Sequence, residues 1–323
     1  VTDDVASDSV NDDTGTLLRR VTETIPASLA DMRVDRVVSL IADVSRNAAA
    51  ALIESGAVTL DGAIVDAGKV KVTTGQQITV DISKVAEPEL PAAQTDLQLD
   101  VVYQDDDVIV VNKSAGLVVH PGAGNKGGTM VNYLLARYPE IAGVGDPMRP
   151  GIVHRLDAGT TGLIAVARNQ AAYESLVEQL TNRSVTRVYS AIVWGVPASL
   201  NGVIDAPIGR DQRDPTRMAV VVDGKPSRTH YAVERTFHVP KDISLVECRL
   251  ETGRTHQIRV HLASIGHPVV GDAQYGGVRA GMRAGRPMLH ARELAFDHPR
   301  TGERHTVTSD LPNDFASLVA TLS

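Results

Sequence analysis

Residues 97–323 are built from short apolar runs that do not alternate strictly with helical patterns. Residues 101–103 and 108–111 read as strands around the turn Asp105-Asp106-Asp107. Residues 151–153 and 163–166 flank a polar turn, and residues 189–194 and 245–250 read as further strands. One clear helical stripe, Ala172, Leu176 and Leu180, lies within residues 171–180. A doubly wound parallel sheet requires a helix between successive strands, so this order favours a mixed α+β domain instead.

The region before it has a different texture. Val34, Val37, Val38 and Ile41 recur at helical spacing, and residues 48–53 continue a second helix after Ser45, a suitable N-cap. Gly56 stops that helix, Asp61-Gly62 is a hairpin-type turn, and Gly75 opens a last strand over 78–82. Residues 17–85 therefore read as a small module with the order helix, helix, short strands. Residues 86–96 carry two prolines and no bulky apolar cluster, which predicts a linker. Residues 1–16 are acidic and poor in large apolar side chains, which predicts a disordered tail.

The formal charge of −7 argues at first sight against a polyanionic partner. Its distribution reverses that reading. Residues 1–16 carry −5, residues 17–95 carry −2, and residues 96–323 are neutral. Within the last block, residues 149–304 hold 21 basic and 15 acidic side chains, a net +6. Arg outnumbers Lys 25 to 7, which suits phosphate and base stacking. The single cysteine, Cys248, excludes an intramolecular disulfide and a cysteine-cluster metal site, and fits a reducing cytoplasm. No apolar run of 18 residues and no signal-peptide pattern is present, so no membrane association is expected.

Four segments could carry chemistry. In His154-Arg155-Leu156-Asp157-Ala158-Gly159-Thr160-Thr161-Gly162, Asp157 sits at a strand end, where the Thr160 and Thr161 hydroxyls could hold its carboxylate. The bland alternative is a turn-capping Asp. Residues 252–262 place Arg254, His256, Arg259 and His261 together; the five-residue His spacing is wrong for a zinc pair on one helical face, and an ordinary surface Arg259 is the alternative. Residues 112–122 are glycine-containing but lack the P-loop pattern. Arg187-Val188-Tyr189 opens a strand, where a tyrosine is either core or a stacking partner for a base.

Taken in order, these blocks resemble the RluA family of pseudouridine synthases. The family signature H-R-L-D-x-x-T-[ST]-G is matched by residues 154–162, and N-K-P-x-G-L-x-V-H-P by residues 112–121, with Ser114 in place of the proline. A basic-x-Tyr block matches Arg187 and Tyr189, and G-R-T-H-Q-I-R-V-H-L matches residues 253–262 throughout. Residues 17–85 resemble an S4 RNA-binding domain through Arg33-Val34-Asp35, Ser45-Arg46, Gly56, Val58 and Asp61-Gly62.

The resemblance implies a pseudouridine synthase fold over 97–323, a mixed and largely antiparallel sheet flanked by helices and loops, behind a small S4-like α/β module. It implies isomerisation of uridine in RNA without metal or other cofactor. Asp157 would be the essential carboxylate and Arg259 its partner. Tyr189 would stack on the flipped uracil and assist removal of the C5 proton. His154, Arg155, Arg187 and Arg254 would contact RNA, as would Arg33 and Arg46 in the small module. The pairing of modules is most similar to family members acting on 23S rRNA or its large-subunit precursor, notably in helix 69; the chain itself is expected to be a cytoplasmic monomer. A non-catalytic RNA-binding or ribosome-assembly factor is the alternative class.

Overall fold

The computed structural model describes residues 9–11, 17–44, 46–84, 90–122, 125, 127–282 and 284–323. They fall into two compact units divided between residues 89 and 90.

The first unit opens with strands β1 (Ser9–Asn11) and β2 (Leu17–Thr24). Helices α1 (Val34–Ile41) and α2 (Arg46–Glu54) follow, then β3 (Val58–Leu60), β4 (Ala63–Ile64) and β5 (Gln77–Asp81). The sheet order is β1-β2-β5-β3-β4, antiparallel throughout. Val34, Val37 and Val38 of α1 pack with Leu52, Ile53, Val58, Ile78 and Val80 in one apolar core. Asp61 and Gly62 both take positive φ, the conformation of a two-residue hairpin that matches strand twist.

Two expectations change here. A strand, β2, precedes the helices, so the order is not helix first. The disorder expected for residues 1–16 does not hold at Ser9–Asn11, which pair with Leu17–Arg19. An open strand edge satisfies backbone groups without burying apolar side chains, so polar composition does not prevent it. Residues 1–8 and 12–16 lie outside the described residues, as does the Ser45 cap.

The second unit contains β6 (Val101–Gln104), β7 (Val108–Lys113), α3 (Met130–Arg137), β8 (Thr161–Ala167), α4 (Gln170–Thr181) and β9 (Thr186–Trp194). Next come β10 (Asn201–Asp205), β11 (Ile208–Arg210), β12 (Met218–Val220), β13 (Arg228–Phe237) and β14 (Ile243–Leu250). The chain closes with α5 (Gln257–Ser264), β15 (Leu289–Asp297), β16 (Arg304–Thr308) and α6 (Asn313–Ala320). The large sheet runs β10-β13-β14-β9-β15-β8-β7-β6, with β16 on β15, while β11 and β12 form a separate hairpin. Its named strand pairs are antiparallel except β15 with β8. The expected α+β class and antiparallel-rich sheet are therefore present.

Strands β7, β8 and β9 are buried along nearly their whole length, which is why their sequences read as continuous apolar runs. Residues 151–153 do not form the expected strand; Ile152 makes one isolated bridge to Val166. The predicted linker is also shorter than 86–96. Asn132 Nδ2 donates to the Ala92 carbonyl, Gln94 N–H donates to the Asn132 carbonyl, and Gly128 N–H donates to Gln94 Oε1. Residues 92–94 are thus docked beside α3, and residues 85–89 lie outside the described residues. Among the described residues, no helix is long and apolar enough to cross a membrane.

Candidate active site

The loop entering β8 carries Asp157, and it is fixed from behind by backbone contacts. Lys113, at the end of β7, is fully buried and donates from Nζ to the carbonyls of Ser114, Leu117 and Ala158 at 2.9, 2.9 and 3.1 Å. Gly116 N–H donates to the same Ala158 carbonyl. Arg286 Nη1 donates to the next carbonyl, Gly159, while its other nitrogens bind Asp314 in α6. Gly162 follows at φ +108°, where an added Cβ would sit 2.2 Å from the Ala291 carbonyl of β15. Only glycine permits the sheet to close there.

Helix α5 supplies the partner. Arg259 donates from Nη1 to Asp157 Oδ2 at 3.1 Å. Its Nε and Nη2 bind Asp272 Oδ2 and Oδ1 at 2.7 and 2.9 Å, and Nη2 also reaches Gln274 Oε1 at 3.0 Å. Burial works against this guanidinium's charge, but Asp272 and Asp157 hold its pKa above the ordinary arginine value. The bidentate grip of the buried Asp272 fixes the fork, leaving one nitrogen for Asp157.

Asp157 and Arg259 open onto a cleft of about 530 Å³ that also includes His154, Arg155, Arg187, Tyr189 and Arg254. Six arginines line it (Arg149, Arg155, Arg183, Arg187, Arg254 and Arg259) against the carboxylates of Asp157 and Glu251. Tyr189, on β9, is buried; burial pushes its hydroxyl up to about 12, with Arg187 opposing and Asp157 adding. The phenol is therefore neutral at pH 7, so it must surrender its own proton before it can accept another.

Arg187 is buried and its Nε has no hydrogen-bond partner among the described residues. Burial lowers its pKa, partly offset by Tyr189. Gly253 accommodates it, since a Cβ there would meet Arg187 Nη1 at 2.6 Å. Arg155 and Arg254 are exposed at the rim. His154 is already engaged: its Nε2 accepts the Ala165 N–H at 3.0 Å, and burial lowers its pKa to about 3. A neutral ring cannot neutralise phosphate, so His154 fastens the loop to β8 and is not a cationic contact. Arg33 and Arg46 belong to the first unit, where Arg33 forms a bidentate pair with Asp35.

Several partners differ from the sequence reading. Thr161 Oγ1 pairs with His290 Nδ1 at 2.9 Å instead of steadying Asp157. His261 is buried with Nδ1 on Thr229 and Nε2 on the Ala206 carbonyl, so it does not join His256 as a ligand pair. Asp272, Lys113, Arg286, His256 and Tyr275 were not among the predicted site residues. Asp272 lies in the Gly271–Gly276 stretch, where no apolar period or local motif singles it out. The three side chains Asp105, Asp107 and His298 lie close enough to share a cation. Arg300 already binds Asp107 through two nitrogens, and none of the three lines the cleft.

The sequence matches the family model described as RNA pseudouridylate synthase over residues 107–264, and that of the S4 domain over residues 32–78. An uncharacterised RNA pseudouridine synthase of Bacillus subtilis (strain 168) is 47% identical over 90% of this chain and 94% of its own length. The chain belongs to the RNA pseudouridine synthase family. The ribosomal large subunit pseudouridine synthase D of Pseudomonas aeruginosa is 43% identical, covering 95% of this chain and 96% of that protein. The solved structure of human RNA pseudouridylate synthase domain containing 1 is 32% identical, with a TM-score of 0.55 over 74% of this chain and 91% of that one. This pseudouridine synthase is thus an isomerase acting on RNA, with an S4 domain ahead of its catalytic region.

Proposed function

We propose that this synthase converts specific uridines of 23S rRNA to pseudouridine, with helix 69 as the target region. The target reading is supported by the relatives named ribosomal large subunit pseudouridine synthase D, which match across both units. Asp157 is the reacting carboxylate, and the observation that carries this is its 3.1 Å contact with Arg259 at the floor of an arginine-lined cleft.

The reaction breaks the N1–C1′ bond, turns the base and joins C5 to C1′; C5 loses its proton and N1 takes one up, so the product is an isomer of the substrate. An ionised carboxylate can serve it as nucleophile or base. Arg259 holds Oδ2 and so fixes which carboxylate oxygen is left for the cleft. Tyr189 packs against the extruded uracil, and its hydroxyl assists departure of the C5 proton. Extrusion of the base from its stack costs roughly a few kcal/mol, offset by phosphate contacts from Arg155, Arg254 and Arg187.

The deciding experiment is nucleotide-resolution pseudouridine mapping of 23S rRNA incubated with the protein or with Asp157→Asn. Expected is modification of helix 69 uridines by the unmutated protein alone, with RNA binding kept in the variant. Unmodified 23S rRNA overturns the target assignment, and an active Asp157→Asn overturns the role of the carboxylate. A variant that restores ribosome assembly while inactive favours the non-catalytic factor.

A further inference from the structure

Arg259 is not the only group facing Asp157. His256 Nε2 lies 3.9 Å from Asp157 Oδ1, the oxygen opposite the one bound by Arg259. The histidine is the N-cap of α5 and sits in the left-handed region, at φ 57° and ψ 20°. A non-glycine residue in that conformation is strained, and the surrounding fold must hold it there.

Tyr275 holds the ring. Met218 N–H, at the start of β12, donates to Tyr275 Oη at 3.1 Å. The Tyr275 hydroxyl lies 2.8 Å from His256 Nδ1 and can donate its own proton to that nitrogen. With Nδ1 accepting, the neutral imidazole carries its proton on Nε2. Burial keeps the ring neutral against the pull of Asp157, with Arg259 and Arg155 adding to burial and Asp272 opposing it. Tyr275 is itself fixed between the guanidinium groups of Arg217 and Arg259, 5.1 and 5.0 Å from its ring centre.

We propose that His256 is a positioning residue for the Asp157 carboxylate, set in the Nε2–H form by the Tyr275 hydroxyl. In the free enzyme the 3.9 Å gap leaves Oδ1 open to the cleft. When an RNA base fills the cleft, the gap closes by about an ångström, the usual tightening of a catalytic hydrogen bond in its working complex. Asp157 is then held on both oxygens, Oδ2 by Arg259 and Oδ1 by His256, and cannot swing about its last torsion. This inference rests on Asp157 being the reacting carboxylate.

The test uses the full chain and transcribed 23S rRNA, and reads single-turnover rate, RNA affinity and unfolding for His256→Ala, His256→Gln and Tyr275→Phe. Glutamine offers a carbonyl to the Tyr275 hydroxyl and an N–H to Asp157. Expected for His256→Ala is a rate about 10- to 100-fold lower with affinity within about twofold, the loss typical of a reacting group misplaced by about an ångström. His256→Gln recovers most of that rate, and Tyr275→Phe loses several-fold. An unchanged rate in His256→Ala overturns the proposal. So does a parallel loss of rate and affinity, or a folded His256→Gln no better than alanine. If the unmutated protein leaves 23S rRNA unmodified, the target fails instead, and the same variants are read on the cellular RNA that it does modify.

Discussion

Replacing Asp272 with Asn isolates what anchors Arg259. The carboxylate is fully buried and takes two hydrogen bonds from a guanidinium whose side chain is 8% exposed. Asparagine keeps one oxygen for Nη2 and for the Gln274 N–H, but turns an amide N–H₂ toward Arg259 Nε–H. Breaking a buried ion pair at one partner typically removes about 3–5 kcal/mol, because a charge is left uncompensated. Arg259 still has Asp157 and Gln274, so a smaller loss of about 2–3 kcal/mol is expected, at or below the bottom of that range. For a domain of this size that is a fall of roughly 4–12 °C in Tm. The only tryptophan, Trp194, is buried in the catalytic unit and reports its unfolding by fluorescence without interference from the S4 unit. Asp157→Asn leaves the two Asp272 bonds in place and should destabilise less than Asp272→Asn does. The released guanidinium in Asp272→Asn should also slow single-turnover isomerisation about 100-fold. Equal stability of the Asp272 variant and the unmutated protein, or an Asp157 variant less stable than the Asp272 variant, refutes Asp272 as the anchor.

Burial lowers the Lys113 pKa from 10.5 to about 8, opposed by Asp157 and aided by Arg286. Below pH 8 the lysine is charged in both states and its burial opposes folding in full. Between about pH 8 and 10.5 the unfolded chain keeps a proton that the folded chain has lost, so stability rises with pH. The rise from pH 7.5 to 9.5 is about 2 kcal/mol, and guanidinium unfolding of Lys113→Met should lack it; identical pH slopes refute the assignment. Gly162→Ala should destabilise by more than about 3 kcal/mol, since its Cβ meets the Ala291 carbonyl at 2.2 Å; near-normal denaturant unfolding would show that the sheet yields there. Arg254→Ala should weaken RNA binding and reduce the slope of log affinity against log salt by about 0.7–0.9, measured by titration at several salt concentrations; an unchanged slope means it neutralises no phosphate.

The elements that sequence disclosed are those governed by neighbouring residues. The Asp61-Gly62 hairpin, the buried runs of β7 and β8, and the stripe of α4 each obey a local period or turn rule. The likeness of four short blocks to one family located the cleft for the same reason, since each block is contiguous. Contacts between distant residues were not legible. Thr161 is close in sequence to Asp157, yet its hydroxyl is taken by His290, 129 positions away, because the parallel pairing of β8 with β15 brings that ring beside it. His154 was expected to contact RNA, but the approach of β8 commits its Nε2 to a backbone N–H and burial strips its charge. The net charge misled on the same principle. It sums a tail, an S4 unit and a catalytic unit, whereas RNA responds to the charge within roughly one Debye length, about 8–10 Å at physiological salt. Around Asp157 that local count is set by six arginines drawn from three separate stretches of chain. Their convergence makes the cleft attractive to a polyanion while the whole chain is acidic, and their unequal burial divides the work. Arg259 is held by Asp272 and serves the carboxylate, whereas Arg155 and Arg254 remain exposed at the rim and free to meet phosphate.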